Sequence, residues 1–240
     1  LYLGHSLIFI DPKGDTSTFK TLKTLCSQTN RLKDLIKIDL ANSSESAKYN
    51  PLKNGSPTEL KDKIVGSIIW TEEYYKKIAK IKAPVTLSSL RDFLVDTESY
   101  QMPTDYPSDE DAEVFTLILQ YIKSQAKDLS GLTSDIVLWT ESEFSSITSS
   151  EIAPSAYDWI IDKKIVYINL NTLAFEESSR RFGRLIIQDI KTAVQRLQGA
   201  DEKDRPTTSD VIDEFAAVDS RGFIELLNKA QSAKVRLTLP

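Results

Sequence analysis

At 240 residues, with 40% hydrophobic and 27% charged side chains, the chain has the make-up of an ordinary globular protein with a substantial core, built as one domain or as one domain carrying an insert. Its net charge of −5 argues against a uniformly basic nucleic-acid surface, and no apolar run approaches the roughly 20 residues needed to cross a bilayer. One cysteine, Cys26, excludes an internal disulfide and a cysteine metal cluster and fits a reducing compartment, while one histidine, His5, leaves almost nothing for a histidine-bound zinc or a Ser-His-Asp triad.

The first element is the apolar run Leu7-Ile8-Phe9-Ile10, which stops at Asp11 and turns through Pro12-Lys13-Gly14-Asp15. Phe19, Leu22 and Leu25 then recur at helical spacing over 16–30, and Leu35 to Leu40 reads as a second strand. Asn50-Pro51-Leu52 and Gly55-Ser56-Pro57 break this pattern. Residues 58–129 read as helices without a convincing strand, beginning with one from Thr58 to about Trp70 and interrupted by an acidic, proline-containing loop over 96–111. Residues 131–150 form a Ser/Thr-rich return segment, and a short helix follows around Pro154 to Asp162. Ile165 to Leu170 is the third strand, and Ser178 to Leu197 a long helix with Phe182, Leu185, Ile186, Ile190, Val194 and Leu197 on one stripe. A fourth strand ends at Asp213-Glu214, a helix runs from Arg221 to Ala230, and Val235 to Leu239 is a last strand. The fold expected is therefore α/β: a mainly parallel sheet flanked by helices, made from 1–56 and 131–240, with a helical insert at 57–130. The start at Leu1 and the stop inside a strand suggest a piece of a longer chain.

The chemistry sits at strand ends. Val211-Ile212 leads into the adjacent carboxylates Asp213 and Glu214, a pattern with which ATPases anchor Mg²⁺ and orient the attacking water. A solvated acidic turn is the alternative. Asp11 ends another apolar run in the same way, and two parallel strands that end in acids deliver them to one crevice. The cluster Arg180, Arg181 and Arg184, with Lys191 and Arg196, reads as a solvated helix face or as a DNA-facing stripe.

Four segments, Ile8-Phe9-Ile10-Asp11-Pro12-Lys13-Gly14-Asp15, Tyr49-Asn50-Pro51-Leu52, Ile165 to Leu170 and Val211 to Ala216 leading into Leu226 to Ala233, resemble in order and spacing the coupling-protein ATPases of type IV secretion and conjugation. These are P-loop NTPases of the TraD and TraG kind, related to the FtsK and HerA translocases. The resemblance implies a RecA-like core with an all-α domain inserted, ATP and Mg²⁺ as cofactors, and DNA transfer driven from the cytoplasmic face of the inner membrane. It implies Mg²⁺ on Asp213, the Walker B acid, and Glu214 as the catalytic residue that orients water. Asp11, Lys13 and Gly14 would contact the nucleotide. It further implies a homo-oligomer, a hexamer in the family, with relaxase or effector proteins, DNA and channel components as partners.

The sequence departs from that pattern in three places. No Gly-rich loop ending in Gly-Lys-Thr or Gly-Lys-Ser is present, so the 240 residues by themselves are expected to be inactive as an ATPase. Ser209 and Asp210 stand where the family has aliphatic residues, which weakens the fourth strand or moves its start to Val211. Gln231 stands where many relatives carry a trans-acting arginine, which leaves Arg221 as a possible substitute. A non-catalytic adaptor, docking cargo on its helical insert over a degenerate ATPase scaffold, is the alternative to the motor.

Overall fold

The computed structural model describes residues 3–67, 144–174, 176–212 and 233–238, together with 91, 95, 133–134, 136–137, 139–141 and 230. Five strands form one sheet, parallel throughout, in the order β2-β3-β1-β4-β5: β1 is Ser6–Asp11, β2 Leu35–Asp39, β3 Ile165–Asn169, β4 Thr208–Ile212 and β5 Val235–Thr238. These are the five strands read from the sequence. Among the described residues the α-helices with defined bounds are α1 Thr16–Gln28, α2 Pro57–Ser67, α3 Ser145–Thr148, α4 Ala156–Ile161 and α5 Glu176–Gly199.

Alternation along the strands divides the apolar side chains between two layers. Ile8, Ile10, Ile38, Val166 and Ile168 pack into a large core with Trp159 of α4 and the α5 stripe Phe182, Leu185, Ile186, Ile190, Val194 and Leu197. Leu7, Phe9, Leu35, Ile165 and Tyr167 pack instead with Phe19, Leu22 and Cys26 of α1. The central strand β3 is buried at every position, as a parallel strand covered on both faces must be.

Local capping fixes where the helices start. Asp15 accepts the Ser17 amide at 2.8 Å to open α1. In α2 the cap is Ser56, one residue before a proline at the first helical position: the Ser56 amide donates to Glu59 Oε2 at 2.6 Å, and the Glu59 amide donates to Ser56 Oγ at 3.3 Å. Ser155 and Asp158 make the same reciprocal box at α4. Leu60 and Ile64 of α2 lie in the large core, and α2 packs along α5.

Two expectations are corrected. The return segment 131–150 is helical over 133–134, 136–137, 139–141 and Ser145–Thr148, and it buries Ile136, Trp139, Phe144 and Ile147 in the large core. Its hydroxyls turn back onto the preceding turn, Thr140 Oγ1 to the Ile136 carbonyl at 2.7 Å and Thr148 Oγ1 to the Phe144 carbonyl at 3.3 Å. Burial of the apolar residues thus overrides the poor helix propensity of Ser and Thr. Strand β4 begins at Thr208 rather than Val211, because its backbone pairs with β1 on one side and β5 on the other whatever the side chains are. Thr208 Oγ1 also shares a buried hydrogen bond with Ser6 Oγ at 2.7 Å. The readings over 71–90 and the 96–111 loop, with Trp70 and Gln231, lie outside the described residues. No described helix is long and apolar enough to cross a membrane.

Among the described residues, three carboxylates are held below their ordinary pKa. Asp15 is lowered by the amide and hydroxyl of Ser17, and Glu59 by the Ser56 amide against partial burial. Burial pushes Asp158 up, but the Ser155 amide and hydroxyl together with Lys53 outweigh it. Folded pKa values below the unfolded ones mean a contribution that is complete above about pH 4.3 and lost as pH falls through the folded values. Urea midpoints measured across this acid range are therefore expected to fall, and Asp158→Asn to fall less steeply than the parent. Parallel profiles for the two proteins would contradict this account of Asp158.

Candidate functional site at the carboxyl edge of the sheet

In a parallel sheet every strand delivers its last residue to the same edge, and the three neighbouring strands β2, β3 and β1 end there in Asp39, Asn169 and Asp11. The register places Asp11 beside Asn169 and Asn169 beside Asp39. All three are buried, on the odd-numbered face that also carries Phe9, Tyr167 and Lys37. On the other side of β1, Ile10 pairs with Ile212, the residue before Asp213 in sequence. The strands of the two acid-ended motifs run the same way, as the sequence predicted, and they are also neighbours. Asp213, Glu214 and Arg221 lie outside the described residues.

Asp11 spends its carboxylate on its own turn. Oδ1 accepts the Gly14 amide at 2.8 Å, and Oδ2 accepts the Asp15 amide at 3.0 Å and the Tyr167 hydroxyl at 2.5 Å. Burial, and after it this hydrogen bond to Asp11, raises the Tyr167 pKa above its ordinary value, so the phenol is a permanent donor at neutral pH. Tyr167 is itself held between Phe9 and Phe19, at ring separations of 6.0 and 5.1 Å. Pro12 is buried, and its carbonyl accepts both the Thr172 amide at 2.8 Å and the Thr172 hydroxyl at 2.9 Å. Lys13 is exposed at the turn, beside Asp15.

Gly14 has φ +73, a left-handed conformation that favours glycine. It also lies against Asn169: a Cβ built on it would fall 2.9 Å from Asn169 Cγ and closer still to Oδ1. Asn169 Nδ2 donates to Asp39 Oδ1 at 2.8 Å, and since a carboxylate only accepts, this fixes which end of the amide faces Gly14. The Asn169 oxygen meets no N–H or O–H donor. Asp39 in turn accepts the Ala41 amide at 3.0 Å and pairs with Lys37, whose ammonium lies 5.0 Å from the centroid of the Phe19 ring.

The sequence pointed to Asp11, Lys13 and Gly14 but not to Asp39, Tyr167, Asn169 or Thr172. A usable signal was present: Ile38-Asp39 and Ile168-Asn169 repeat the break from aliphatic to polar seen at Ile10-Asp11. The arginine cluster does not form one face, since Arg184 is buried and Arg196 is bonded to Asn54 Oδ1 at 2.8 Å over the Tyr157 ring. Among the described residues no group of three or more His, Cys, Asp or Glu side chains is arranged to hold a metal ion.

A five-stranded, all-parallel sheet flanked by helices, with polar residues gathered at its carboxyl edge, is a RecA-like α/β core. No protein-family model matches the sequence, and no curated protein does. Among solved structures the fold matches the bacterial conjugative coupling protein TrwBdeltaN70. Its unbound monoclinic form gives a TM-score of 0.56 at 13% identity, over 99% of this chain and 55% of that one. Its trigonal form in complex with sulphate gives 0.53 at 13% identity, again over 99% and 55%. The chain spans about half the length of these structures, and at such identity the likeness is one of fold.

Proposed function

We propose that this chain is the greater part of the motor domain of a conjugation or type IV secretion coupling protein, an ATPase that recruits a DNA-relaxase complex or protein substrates to the secretion channel. The observation that carries this reading is the adjacency of β1 and β4 in parallel register, Ile10 beside Ile212, which brings the ends of both strands to one edge of the sheet. Ligands of open α/β sheets bind in that position. Asp11 is committed to its turn, so the carboxylates available for Mg²⁺ and water are Asp213 and Glu214, hard oxygen donors of the kind Mg²⁺ prefers. Bound there, Mg²⁺ would neutralise charge on the phosphates during transfer. Asp213 holds the ion, Glu214 orients the water, and Lys13 and Gly14 border the nucleotide. The all-α insert at 57–130 would meet cargo through the part that follows α2, since Leu60 and Ile64 of α2 lie in the large core, and the full-length protein works as a ring, a hexamer with Arg221 available to act in trans, at the cytoplasmic face of the inner membrane.

The 240 residues alone are expected to show no ATP turnover, for want of a phosphate-binding loop. In the full-length protein Glu214→Gln is expected to keep Mg²⁺-ATP binding and abolish hydrolysis, by about 10²-fold or more, since shape and metal ligand remain while the orienting charge goes. Asp213→Asn is expected to weaken Mg²⁺-dependent binding as well. Parent-rate turnover by the Glu214→Gln protein would show that Glu214 does not position the water and would leave the motor assignment on the resemblance alone, whereas a full-length parent without ATP turnover would favour the adaptor.

A further inference from the structure

The turn after β1 is held by another strand. Its carboxylate clamp at Asp11 is closed by the Tyr167 hydroxyl of β3, its Pro12 carbonyl by Thr172 two residues beyond Leu170, and its Gly14 by the flank of Asn169. Together with the Leu170 amide on the Asp11 carbonyl at 2.9 Å, these contacts from one segment, residues 167–172, fix a five-residue turn. Pro12 is buried, Gly14 has no side chain, and Asp15 turns its carboxylate onto the amide and hydroxyl of Ser17, both at 2.8 Å. The cationic group that this turn carries at the carboxyl edge is Lys13. A lysine is a point charge on a flexible stem, so where its ammonium can reach depends on where its Cα is held. Asp15 caps α1 by accepting the Ser17 amide and so lays a carboxylate across the helix N-terminus, which disfavours a second anion there and leaves the Lys13 cation to meet a phosphate approaching the turn.

We propose that Tyr167 and Thr172 are positioning residues that hold Lys13 where it meets a phosphate of the bound nucleotide, with Asn169 as the fixed stop behind Gly14. This rests on the nucleotide reading given above, and it adds that the segment 167–172 governs nucleotide affinity without touching the ligand. A coupling of this kind has a signature that mere structural support lacks: the effect of loosening the turn disappears once Lys13 is gone.

The test is a binding cycle on the full-length protein with a fluorescent ATP analogue and Mg²⁺. Tyr167→Phe and Lys13→Ala are each expected to weaken binding roughly three- to tenfold, the size of one lost polar contact to a charged group. The double variant should bind no more weakly than Lys13→Ala alone. Thr172→Val, which removes only one of two bonds to Pro12, should act in the same direction with a smaller effect that Lys13→Ala also erases, and it serves if Tyr167→Phe folds poorly. Losses that multiply in the double variants, or unchanged affinity in both Tyr167→Phe and Thr172→Val, would overturn the positioning role while leaving the nucleotide reading intact. A parent protein that binds no analogue at all would overturn both.

Discussion

Lys63→Ala is expected to destabilise the fold by about 3–5 kcal/mol, because it leaves the Asp189 charge buried without its partner. Lys63 Nζ lies 2.6 Å from Asp189 Oδ1, both side chains being 1% exposed, and it also donates to the carbonyls of Pro51 at 2.8 Å and Asn54 at 2.5 Å. The other carboxylate oxygen of Asp189 accepts the Tyr49 hydroxyl at 2.9 Å and the Ala156 amide at 2.8 Å. Tyr49 stays protonated, since burial and then the Asp189 charge raise its pKa well above the ordinary value. One ion pair therefore ties α2, the 49–54 segment, α4 and α5 together, and every donor in it has an acceptor. The measurement is urea unfolding at neutral pH, with an unchanged slope and a lowered midpoint. Lys63→Met/Asp189→Asn should recover part of the loss, because the replacement amide is neutral and its oxygen can still accept from Tyr49 and Ala156. A loss under about 1 kcal/mol for Lys63→Ala would mean that the pair is solvated in solution.

Gly14→Ala is expected to cost about 2–4 kcal/mol from two separate sources. The left-handed backbone at φ +73 costs an L-residue about 1–2 kcal/mol, and the new methyl is driven into Asn169, with a comparable overpacking penalty. Asn169 cannot retreat cheaply, since its amide is bonded to Asp39 and its strand is paired on both sides. Adding Asn169→Ala to Gly14→Ala should return the steric part and leave the backbone part. If the double variant is no more stable than Gly14→Ala, the clash with Asn169 is not the source of the loss. Because the same turn carries Lys13, Gly14→Ala should also weaken nucleotide binding by the full-length protein more than its loss of stability alone would.

Much of this architecture was legible in the chain because it depends on local periodicity. Leu7 to Ile10, Leu35 to Leu40 and Ile165 to Leu170 are aliphatic runs bounded by polar breaks, and the stripe from Phe182 to Leu197 has the spacing of a helix that covers a sheet. That the strands before Asp11 and Asp213 share a sheet and a direction was also legible, since both runs stop at an acid, but their being neighbours was set by the strand order. Turn chemistry placed Pro12-Lys13-Gly14 correctly at the end of β1.

Tertiary structure decided the rest, for reasons that no local pattern contains. The helices within 131–150 exist because Ile136, Trp139, Phe144 and Ile147 find a core to fill, which outweighs the propensities of the Ser and Thr around them. Strand β4 begins at Thr208 because two neighbours supply backbone partners, not because its side chains favour a strand. The use of Asp11 as a clamp, rather than as an open ligand, required knowing that Tyr167, 156 residues away in sequence, lies across the adjacent strand with its hydroxyl aimed at that carboxylate. Sequence spacing fixes which face a side chain takes, but the partner that consumes its hydrogen bonds is set by strand order and register, and these arise only when the sheet closes.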